Sequence, residues 1–386
     1  MFTNRDLKKL IIPLIIEQVL AVTVGFADTI MVSGVGESAV SAVSLVDGIN
    51  ILLINVFAAL GTGGAVVAAQ LIGRQESEKA RDSAKQLLLI TALLSTFIMI
   101  IVMIFNVDIL HLVFGRVNDS VMSNAEIYFF FSALSYPFIA LYNSGSALFR
   151  AIGNSKVSMI NSAIMNVINI ILNALFIFGF QWGVFGAVFA TLIARTVACV
   201  MTLVMLSRKQ SDIYVDDYKH WHFDFQYIRK ILTIGIPSGL ENGMFQLGKI
   251  LVQSLIATFG TYAIAANAVS NSLAQMQIIP GMAMGLAMVT VVGQCVGAND
   301  YKQAKYYIKK LMKITYASMA GLIAILLATT PMILSLYSLS KETLDLAYQC
   351  IFMHGLVGVI IWPLAFTFPN ALRAANDAKY TMIVSA

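Results

Sequence analysis

The sequence has few charged residues. Only 12% of its 386 residues are charged, about half the share that is usual in soluble proteins. Hydrophobic residues make up 59%, and a soluble globule of this length cannot bury that much apolar surface. The composition therefore excludes a soluble fold and predicts an integral membrane protein.

Cysteine and catalytic motifs are also scarce. Cys199, Cys295 and Cys350 lie in apolar stretches with no CxxC or Cys/His spacing, so we expect small buried side chains and no disulfide. The GTGG segment at 61–64 lacks the ending of a phosphate-binding loop, and its apolar surroundings predict close helix packing. No metal cluster, HExxH or GxSxG motif occurs. We therefore expect a protein that is not an enzyme and has no cofactor.

Long apolar runs cover most of the chain. A membrane-spanning helix needs about 20 predominantly apolar residues, and continuous runs exclude a membrane barrel, whose strands alternate. The runs that qualify are 10–33, 39–72, 87–105, 127–148, 157–180, 184–206, 231–259, 262–296, 314–336 and 346–368. An eleventh begins at Tyr380 and stops with the sequence. We predict an all-α polytopic membrane protein.

Lysine and arginine are distributed unequally between the predicted connections. Apart from residues inside the spans, only Arg116 and Lys341 lie on the side opposite the N-terminus. Basic connections stay in the cytoplasm, so the N-terminus is predicted to be cytoplasmic. This placement accounts for the formal charge of +5 without a nucleic-acid partner.

The chain repeats itself at an offset of 224 residues. Pro13 aligns with Pro237 and Glu17 with Glu241, and the register continues without a gap to Ala80. Further pairs are Gly36 and Gly260, Ala42 and Ala266, Gly61 and Gly285, Gln70 and Gln294, and Gly73 and Gly297, while FRAIGNSK (149–156) resembles LRAANDAK (372–379) at an offset of 223. Both copies begin on the same side of the membrane, so their axis runs along the membrane normal, as in some secondary transporters.

The repeat predicts two six-helix lobes in a parallel pseudo-two-fold arrangement. We expect an N-terminal lobe at 1–206, a cytoplasmic linker at 207–230 and a C-terminal lobe at 231–386. The second copy has fewer spans than the first, so about ten of twelve helices are complete and a fragment follows. We expect the chain to stop before the last helices.

Four segments are similar to those of one transporter family. PLIIEQVLAVTVGFADTIMVSGVGESAVSAVSL (13–45) and AAQLIGR (68–74) resemble its first two helices, NIILNALFIFGFQWGVFGAVFAT (169–191) its fifth and sixth, and GQCVGAND (293–300) repeats the pattern. The family is the multidrug and toxic compound extrusion (MATE) family of the multidrug/oligosaccharidyl-lipid/polysaccharide flippase superfamily. The resemblance implies twelve helices around a central cavity, and export of organic cations or other drugs in exchange for Na⁺ or H⁺. We expect a monomer in a bacterial-type plasma membrane.

Asp28 is the strongest candidate for the coupling residue. An ionisable side chain inside a span is costly and marks a functional site, and a carboxylate in low dielectric favours a bound proton or cation. The resemblance implies a coupling Asp at this position of the ADT motif. It also implies that the helix bends at Pro13, and Pro237 is the matching hinge. The alternative is an Asp that is held by hydrogen bonds or by Arg195.

Asn169, Asn173 and Thr191 are the expected companions of Asp28. The two asparagines are one turn apart and share a helix face, and oxygen ligands suit a hard cation. Relatives place oxygen ligands at these positions, but some have Asp where this chain has Asn173. The choice between Na⁺ and H⁺ therefore stays open, as does a purely structural role in bonding helix to helix.

Other ionisable residues in the spans are candidates for the cavity or its gates. Glu17 and Glu241 are predicted to attract a cationic substrate or to bond across the lobes, with snorkelling to the interface as the alternative. Lys249 is predicted to pair with an acid or to compete with the cation, and Arg195 to be a structural partner. A histidine can titrate in the physiological range, but a lone histidine in a helix is more often held by a hydrogen bond, and this is expected of His354. A further acid, Asp47, is expected near the outer interface.

The sequence thus predicts a cation-coupled antiporter that exports organic, mainly cationic, compounds by alternating access. The alternative is a flippase for lipid-linked saccharides from the same superfamily. A flippase should have a more basic cavity to hold a pyrophosphate, whereas acids outnumber bases within the predicted spans. The expected partners are small organic molecules and the bilayer.

Overall fold

The structure, a computed structural model, describes residues 2–115, 118–209, 213–215, 223–335 and 340–385, and all regular secondary structure in these ranges is helical. The helices of the first half are α1 (Asn4–Ser33), α2 (Glu37–Gly73), α3 (Ser77–Ile104), α4 (Asn106–Phe114), α5 (Asp119–Leu134), α6 (Tyr136–Ala151), α7 (Ser155–Ala174) and α8 (Gly183–Leu206). Those of the second half are α9 (Phe225–Ala257), α10 (Thr261–Gln277), α11 (Ile279–Gly297), α12 (Tyr301–Leu334), α13 (Lys341–Trp362), α14 (Phe368–Ala374) and α15 (Ala378–Ser385). A π-helical turn at Leu175–Gly179 extends α7, and another at Pro363–Thr367 joins α13 to α14.

The predicted all-α, multi-pass architecture is confirmed. Within the described residues, eight helical segments are long and apolar enough to cross a membrane, and α5 with α6 makes a ninth that is bent by 46°. The predicted span 127–148 corresponds to this bent pair, which meets at Ser135 just before Pro137. The short helix α4 was not predicted.

The predicted span 262–296 is divided into two helices, which corrects the expectation of one long helix. α10 ends at Gln277 and α11 begins at Ile279, with Pro280 in its first turn. Proline has no backbone N–H and its ring crowds the carbonyl four positions back, so within a helix it causes a kink or a break. The repeat position in the first half is Val56, which has that N–H, and α2 accordingly runs unbroken.

Four helix ends on one face of the bundle have the same backbone cap. Gln75, Gly153, Asn299 and Asn376 have φ values of 62°, 83°, 58° and 70°, and the N–H of the following residue donates to the carbonyl five positions back. This is the left-handed cap that closes many helices. Gln75 matches Asn299 and Gly153 matches Asn376 in the repeat, so the repeat extends to backbone geometry. We call the face formed by these four turns and the start of α1 the basic face.

Near the basic face each half packs against the other through its first helix. Leu10 and Leu14 of α1 share a buried cluster with Met284 and Met288 of α11. The first helix of the second half does the same, because Ile231 of α9 lies in a cluster with residues of α2 and α3. This reciprocal packing is what a parallel pseudo-two-fold repeat requires.

The linker and lobe boundaries at 206 and 231 stay a prediction. Residues 210–212 and 216–222 of the linker lie outside the described residues. Its described part packs on the first half, where Ile213 and Val215 are buried and the guanidinium of Arg81 lies 4.0 Å from the ring centre of Tyr214.

Two packing predictions have different outcomes. Close packing at 61–64 is confirmed, because a Cβ on Gly61 would lie 3.6 Å from that of Ala147 and one on Gly64 would overlap Leu87. Burial of the cysteines is right for Cys199 and Cys295 but wrong for Cys350, which is exposed on α13. An apolar run faces either neighbouring helices or lipid, and composition does not distinguish the two.

Candidate functional site

A cavity of about 140 Å³ lies inside the first lobe, in the half of the bundle away from the basic face. α1 lines it with Gly25, Asp28, Thr29 and Val32, which share one helix face because their spacing follows the helical period. The rest of the lining comes from α2, α5, α7 and α8, through Val40, Val43, Ser44, Asp47, Tyr128, Asn173, Ala187 and Thr191.

The predicted coupling residues form one continuous chain of hydrogen bonds. Thr191 Oγ1 accepts from Asn169 Nδ2 at 3.1 Å, and Asn169 Oδ1 accepts from Asn173 Nδ2 at 3.2 Å. The same Asn173 Nδ2 donates to Asp28 Oδ1 at 2.7 Å. The structure therefore brings Asp28, Asn169, Asn173 and Thr191 together, with the Asn173 amide group donating both to Asp28 and to Asn169.

The donor set of this cavity fits a small hard cation. Asn173 is 1% exposed, and among the described residues its Oδ1 has no hydrogen-bond partner. A buried oxygen without a partner is uncommon and calls for a ligand or water. Carboxylate, amide and hydroxyl oxygens are the ligands that hard cations prefer. In the described ranges there is no group of three or more His, Cys, Asp or Glu side chains that could hold a metal ion.

Asp47 and Arg195 lie on the elements around this cavity but do not form an ion pair with each other or with Asp28 in the part of the chain that is described. Asp47 Oδ1 accepts from Asn50 Nδ2 and from the Tyr128 hydroxyl, both at 3.3 Å. Arg195 donates to Ser135 Oγ at 2.7 Å, at the bend between α5 and α6. Arg195 thus holds this bend, in keeping with its predicted structural role.

The two acids near the basic face are each paired with an arginine of their own lobe. Glu17 lies 3.0 Å from Arg150, and Ser158 Oγ donates to the same carboxylate at 2.9 Å. Glu241 lies 2.7 Å from Arg373. Arg150 and Arg373 occupy matching places in the repeat, so the pairs are equivalent. Among the described residues neither acid bonds across the lobes in this conformation, and the predicted roles in gating or substrate attraction stay predictions.

Two matched glutamines make direct polar contacts between the lobes at the basic face, where Thr290 Oγ1 of the second lobe also donates to the carbonyl of Arg150 at 2.9 Å. Gln70 Nε2 donates to the carbonyl of Ala374 at 2.8 Å, and Gln294 Nε2 donates to that of Ala151 at 2.7 Å. Both the donors and the acceptors are repeat mates. We call this pair of bonds the glutamine latch.

Glycines allow the backbones to meet beside the latch. A Cβ on Gly73 would overlap the Gln294 carbonyl, and one on Gly297 would overlap that of Gln70. The lobes are therefore in contact at the basic face, and the cavity with Asp28 lies in the other half of the bundle.

Comparison with known proteins identifies the family. The sequence profile described as MatE matches residues 13–175 and 237–386. The chain belongs to the MatE family. Its members are membrane transporters and not enzymes, as the sequence predicted.

Individual relatives match over nearly the whole chain. The probable multidrug resistance protein YoeA of Bacillus subtilis (strain 168) is 27% identical over 389 residues, which cover 99% of this chain and 83% of that protein. The multidrug export protein MepA of Staphylococcus haemolyticus (strain JCSC1435) is 24% identical over 379 residues, 97% of this chain and 82% of that protein.

Solved structures agree on the fold. The outward-facing conformation of a multidrug resistance MATE family transporter of the MOP superfamily matches with a TM-score of 0.92 at 20% identity, covering 98% of this chain and 84% of that chain. At that identity the similarity establishes the fold alone, which is the predicted two-lobed arrangement.

The remaining predicted residues of this MatE transporter lie apart from the Asp28 cavity. His354 Nδ1 is 2.6 Å from Gln277 Oε1, so it has the hydrogen bond that was expected. Lys249 is exposed on α9, and no ion pair of this residue occurs in the described part of the chain. Pro13 and Pro237 lie inside α1 and α9, and their role as hinges stays a prediction.

Sequence reasoning missed three partners in this MatE chain. Arg150 and Arg373 stand in the repeated segments FRA and LRA, so the repeat itself was a signal for the matched ion pairs. Tyr128 reaches the cavity from α5. Nothing in the local sequence distinguishes it from the other aromatic residues of that helix.

Proposed function

We propose that this chain is a cation-coupled antiporter that exports organic, mainly cationic, compounds by alternating access. The observation that carries the proposal is the Asp28 cavity, where a carboxylate and the unpartnered oxygen of Asn173 meet. The two relatives named for multidrug resistance and multidrug export support the cargo class. The coupling ion is Na⁺ or H⁺.

The basic face is cytoplasmic in this proposal, because it carries most of the lysines and arginines. The structure then corresponds to the state that is closed to the cytoplasm. The glutamine latch and the close backbone contacts at Gly73 and Gly297 hold it closed. A cation reaches Asp28 from outside, and its binding favours drug release and rearrangement of the lobes. When the basic face opens, the cation leaves and a new drug molecule enters. By linkage, cation and drug must weaken each other's binding.

Transport in proteoliposomes tests this proposal. Vesicles that contain the protein and a fluorescent cationic dye are given a Na⁺ gradient or a pH gradient separately. We expect one gradient to drive dye movement, and Asp28→Asn, which removes the charge at nearly constant size, to abolish the response to that gradient. Asp108→Asn is the matched control, since Asp108 is exposed on α4.

Two results would contradict the proposal. One is a wild-type protein that moves dye under neither gradient. The other is an Asp28→Asn variant that transports as well as the wild type, because the charge at position 28 would then play no part in coupling.

A further inference from the structure

A second carboxylate lies in the same cavity as Asp28. Asp47 is on α2, and the α2 residues Val40, Val43, Ser44 and Asp47 share one helix face that lines the cavity. Asp28 reaches the cavity from α1. Two acids from different helices thus face one cavity of about 140 Å³.

The protein contacts of Asp47, a partly buried acid, are weak. Its two hydrogen bonds, from Asn50 and Tyr128, both measure 3.3 Å and both reach the same oxygen. The bond that Asn173 makes to Asp28 is shorter, at 2.7 Å. Neither acid has an ion pair among the described residues, and the guanidinium of Arg195 bonds to Ser135.

Two partly buried carboxylates in one cavity repel each other, and each loses part of its hydration. The charged and titratable groups that face them are Arg195 on α8, Tyr128 on α5 and Tyr136 on α6. One arginine, held by Ser135 at the helix bend, does not neutralise two acids. A cation bound between the carboxylates offsets both costs at once.

An independent observation points to a ligand at this place. Asn173 lines the cavity, is 1% exposed, and has an Oδ1 atom without a hydrogen-bond partner in the part of the chain that the structure describes. Both hydrogen bonds of its Nδ2 are used. An amide oxygen left in this way accepts a cation as readily as it accepts a donor hydrogen.

The equivalent helices of the second lobe form without either acid. At the offset of 224 residues, Asp28 corresponds to Val252 and Asp47 to Asn271. α9 and α10 form helices with these residues. Both acids are therefore confined to the lobe that contains the hydrogen-bonded chain of Asn169, Asn173 and Thr191, which is the pattern expected of a ligand site.

We propose that Asp47 is the second carboxylate of a Na⁺ site, in which the ion lies between Asp28, Asp47 and the amide oxygen of Asn173. The proposal rests on the coupled transport proposed above and extends it. It assigns a binding role to Asp47 and selects Na⁺ as the ion, because an unpartnered amide oxygen beside two carboxylates is an oxygen-ligand site for a hard cation.

The increase in thermal stability that Na⁺ causes measures Na⁺ binding at this site independently of transport. The thermal unfolding of the purified protein is followed at increasing NaCl, with choline chloride keeping the ionic strength constant, because a ligand that binds only the folded state raises the unfolding temperature. We expect Asp47→Asn to increase the half-saturating Na⁺ concentration at least about tenfold, since a neighbouring opposite charge shifts such equilibria by one to three decades. Asp28→Asn should do the same, and the control Asp108→Asn should not.

Asp47→Glu is the second variant, because it keeps the charge even if Asp47→Asn does not fold. We expect its half-saturating Na⁺ concentration to stay within about threefold of the wild type. A wild-type response to Na⁺ in Asp47→Asn, or loss of the response in a folded Asp47→Glu, would overturn the role of Asp47.

The dye assay separates this proposal from the proposed function. If Asp47→Asn keeps both the Na⁺ response and Na⁺-driven transport while Asp28→Asn loses them, the antiporter stands and Asp47 has no role in the site. If only the pH gradient drives transport and Na⁺ stabilises nothing, the antiporter again stands and the Na⁺ site is refuted.

Discussion

Removing the glutamine latch should open the basic face. The perturbation is the double variant Gln70→Ala and Gln294→Ala, which deletes both reciprocal bonds to the carbonyls of Ala374 and Ala151. Both acceptors lie in the last turn of a helix, where carbonyls depend on partners outside the helix. The bonds exist only while the lobes touch, so their loss destabilises the closed state selectively.

The magnitude follows from the number and setting of these bonds. A protein hydrogen bond contributes about 1 kcal/mol net, and a buried acceptor left without a donor adds to the loss. Two such sites amount to about 2 to 3 kcal/mol. Because about 1.4 kcal/mol is a factor of ten, the closed-to-open ratio should fall roughly 30- to 150-fold.

The distance between spin labels on the two lobes reports this change. Glu78→Cys and Lys302→Cys place labels at matched exposed positions in the first turns of α3 and α12, with the exposed Cys350 replaced by serine. Pulsed EPR should show a short distance in the wild type and a larger, broader one in the double variant. Gln349→Ala, an exposed position on α13, is the control.

Gly73→Ala tests the same contact by addition of atoms, because its Cβ would overlap the Gln294 carbonyl. It should lengthen the label distance as the latch variant does. If both variants keep the wild-type distance distribution, neither the glutamine latch nor the close contact at Gly73 holds the lobes together. The prediction that these contacts stabilise the closed state is then refuted.

Two predictions concern the stability of the first lobe. Arg150→Met should lower the free energy of unfolding by about 3 kcal/mol, because it leaves the carboxylate of Glu17 buried without its cation. Adding Glu17→Gln should recover part of that loss, as measured by thermal unfolding. Ser155→Ala should lower the free energy of unfolding by about 1 to 3 kcal/mol. Ser155 Oγ donates to the Leu10 carbonyl at 2.7 Å and to the Lys9 carbonyl at 3.3 Å. The Lys9 carbonyl lacks its helical donor because Pro13 has no N–H.

The controls for both are double-mutant cycles. The equivalent pair Glu241 and Arg373 in the second lobe should show the same non-additivity as Glu17 and Arg150, and strict additivity in both lobes would contradict the ion-pair argument. Pro13→Ala restores a backbone donor, so Ser155→Ala should cost less in that background. An equal cost with and without Pro13 would show that Ser155 does not serve the freed carbonyl.

The fold was largely predictable from the sequence because its signals are local or periodic. Apolar runs of membrane length are recognised without tertiary information. The offset of 224 residues relates positions far apart in the chain, such as Gln70 and Gln294, and predicts that they occupy equivalent places in the two lobes. The break at Ile278 was missed because the apolar run continues through it. The exposure of Cys350 was missed because lipid and protein core both accept an apolar residue.

The candidate site was predictable in part. Asp28, Asn169, Asn173 and Thr191 were expected together, and their hydrogen bonds form one chain. Asp47 was expected near the outer interface, yet it lines the same cavity. Its depth in the membrane stays a prediction, and the direction of its helix face was not readable from the sequence.

The sequence by itself determined that this is a two-lobed helical membrane protein, since hydropathy and the repeat are properties of the chain alone, and four of its segments carried the resemblance to the family. Only the tertiary structure decided which buried charges are neutralised. It pairs Glu17 and Glu241 with arginines of their own lobes and leaves Asp28 and Asp47 facing one cavity. The physical reason is that the free-energy cost of a buried charge depends on the charged and polar groups that other helices place within a few ångströms of it. The residue pattern along one helix does not specify those groups.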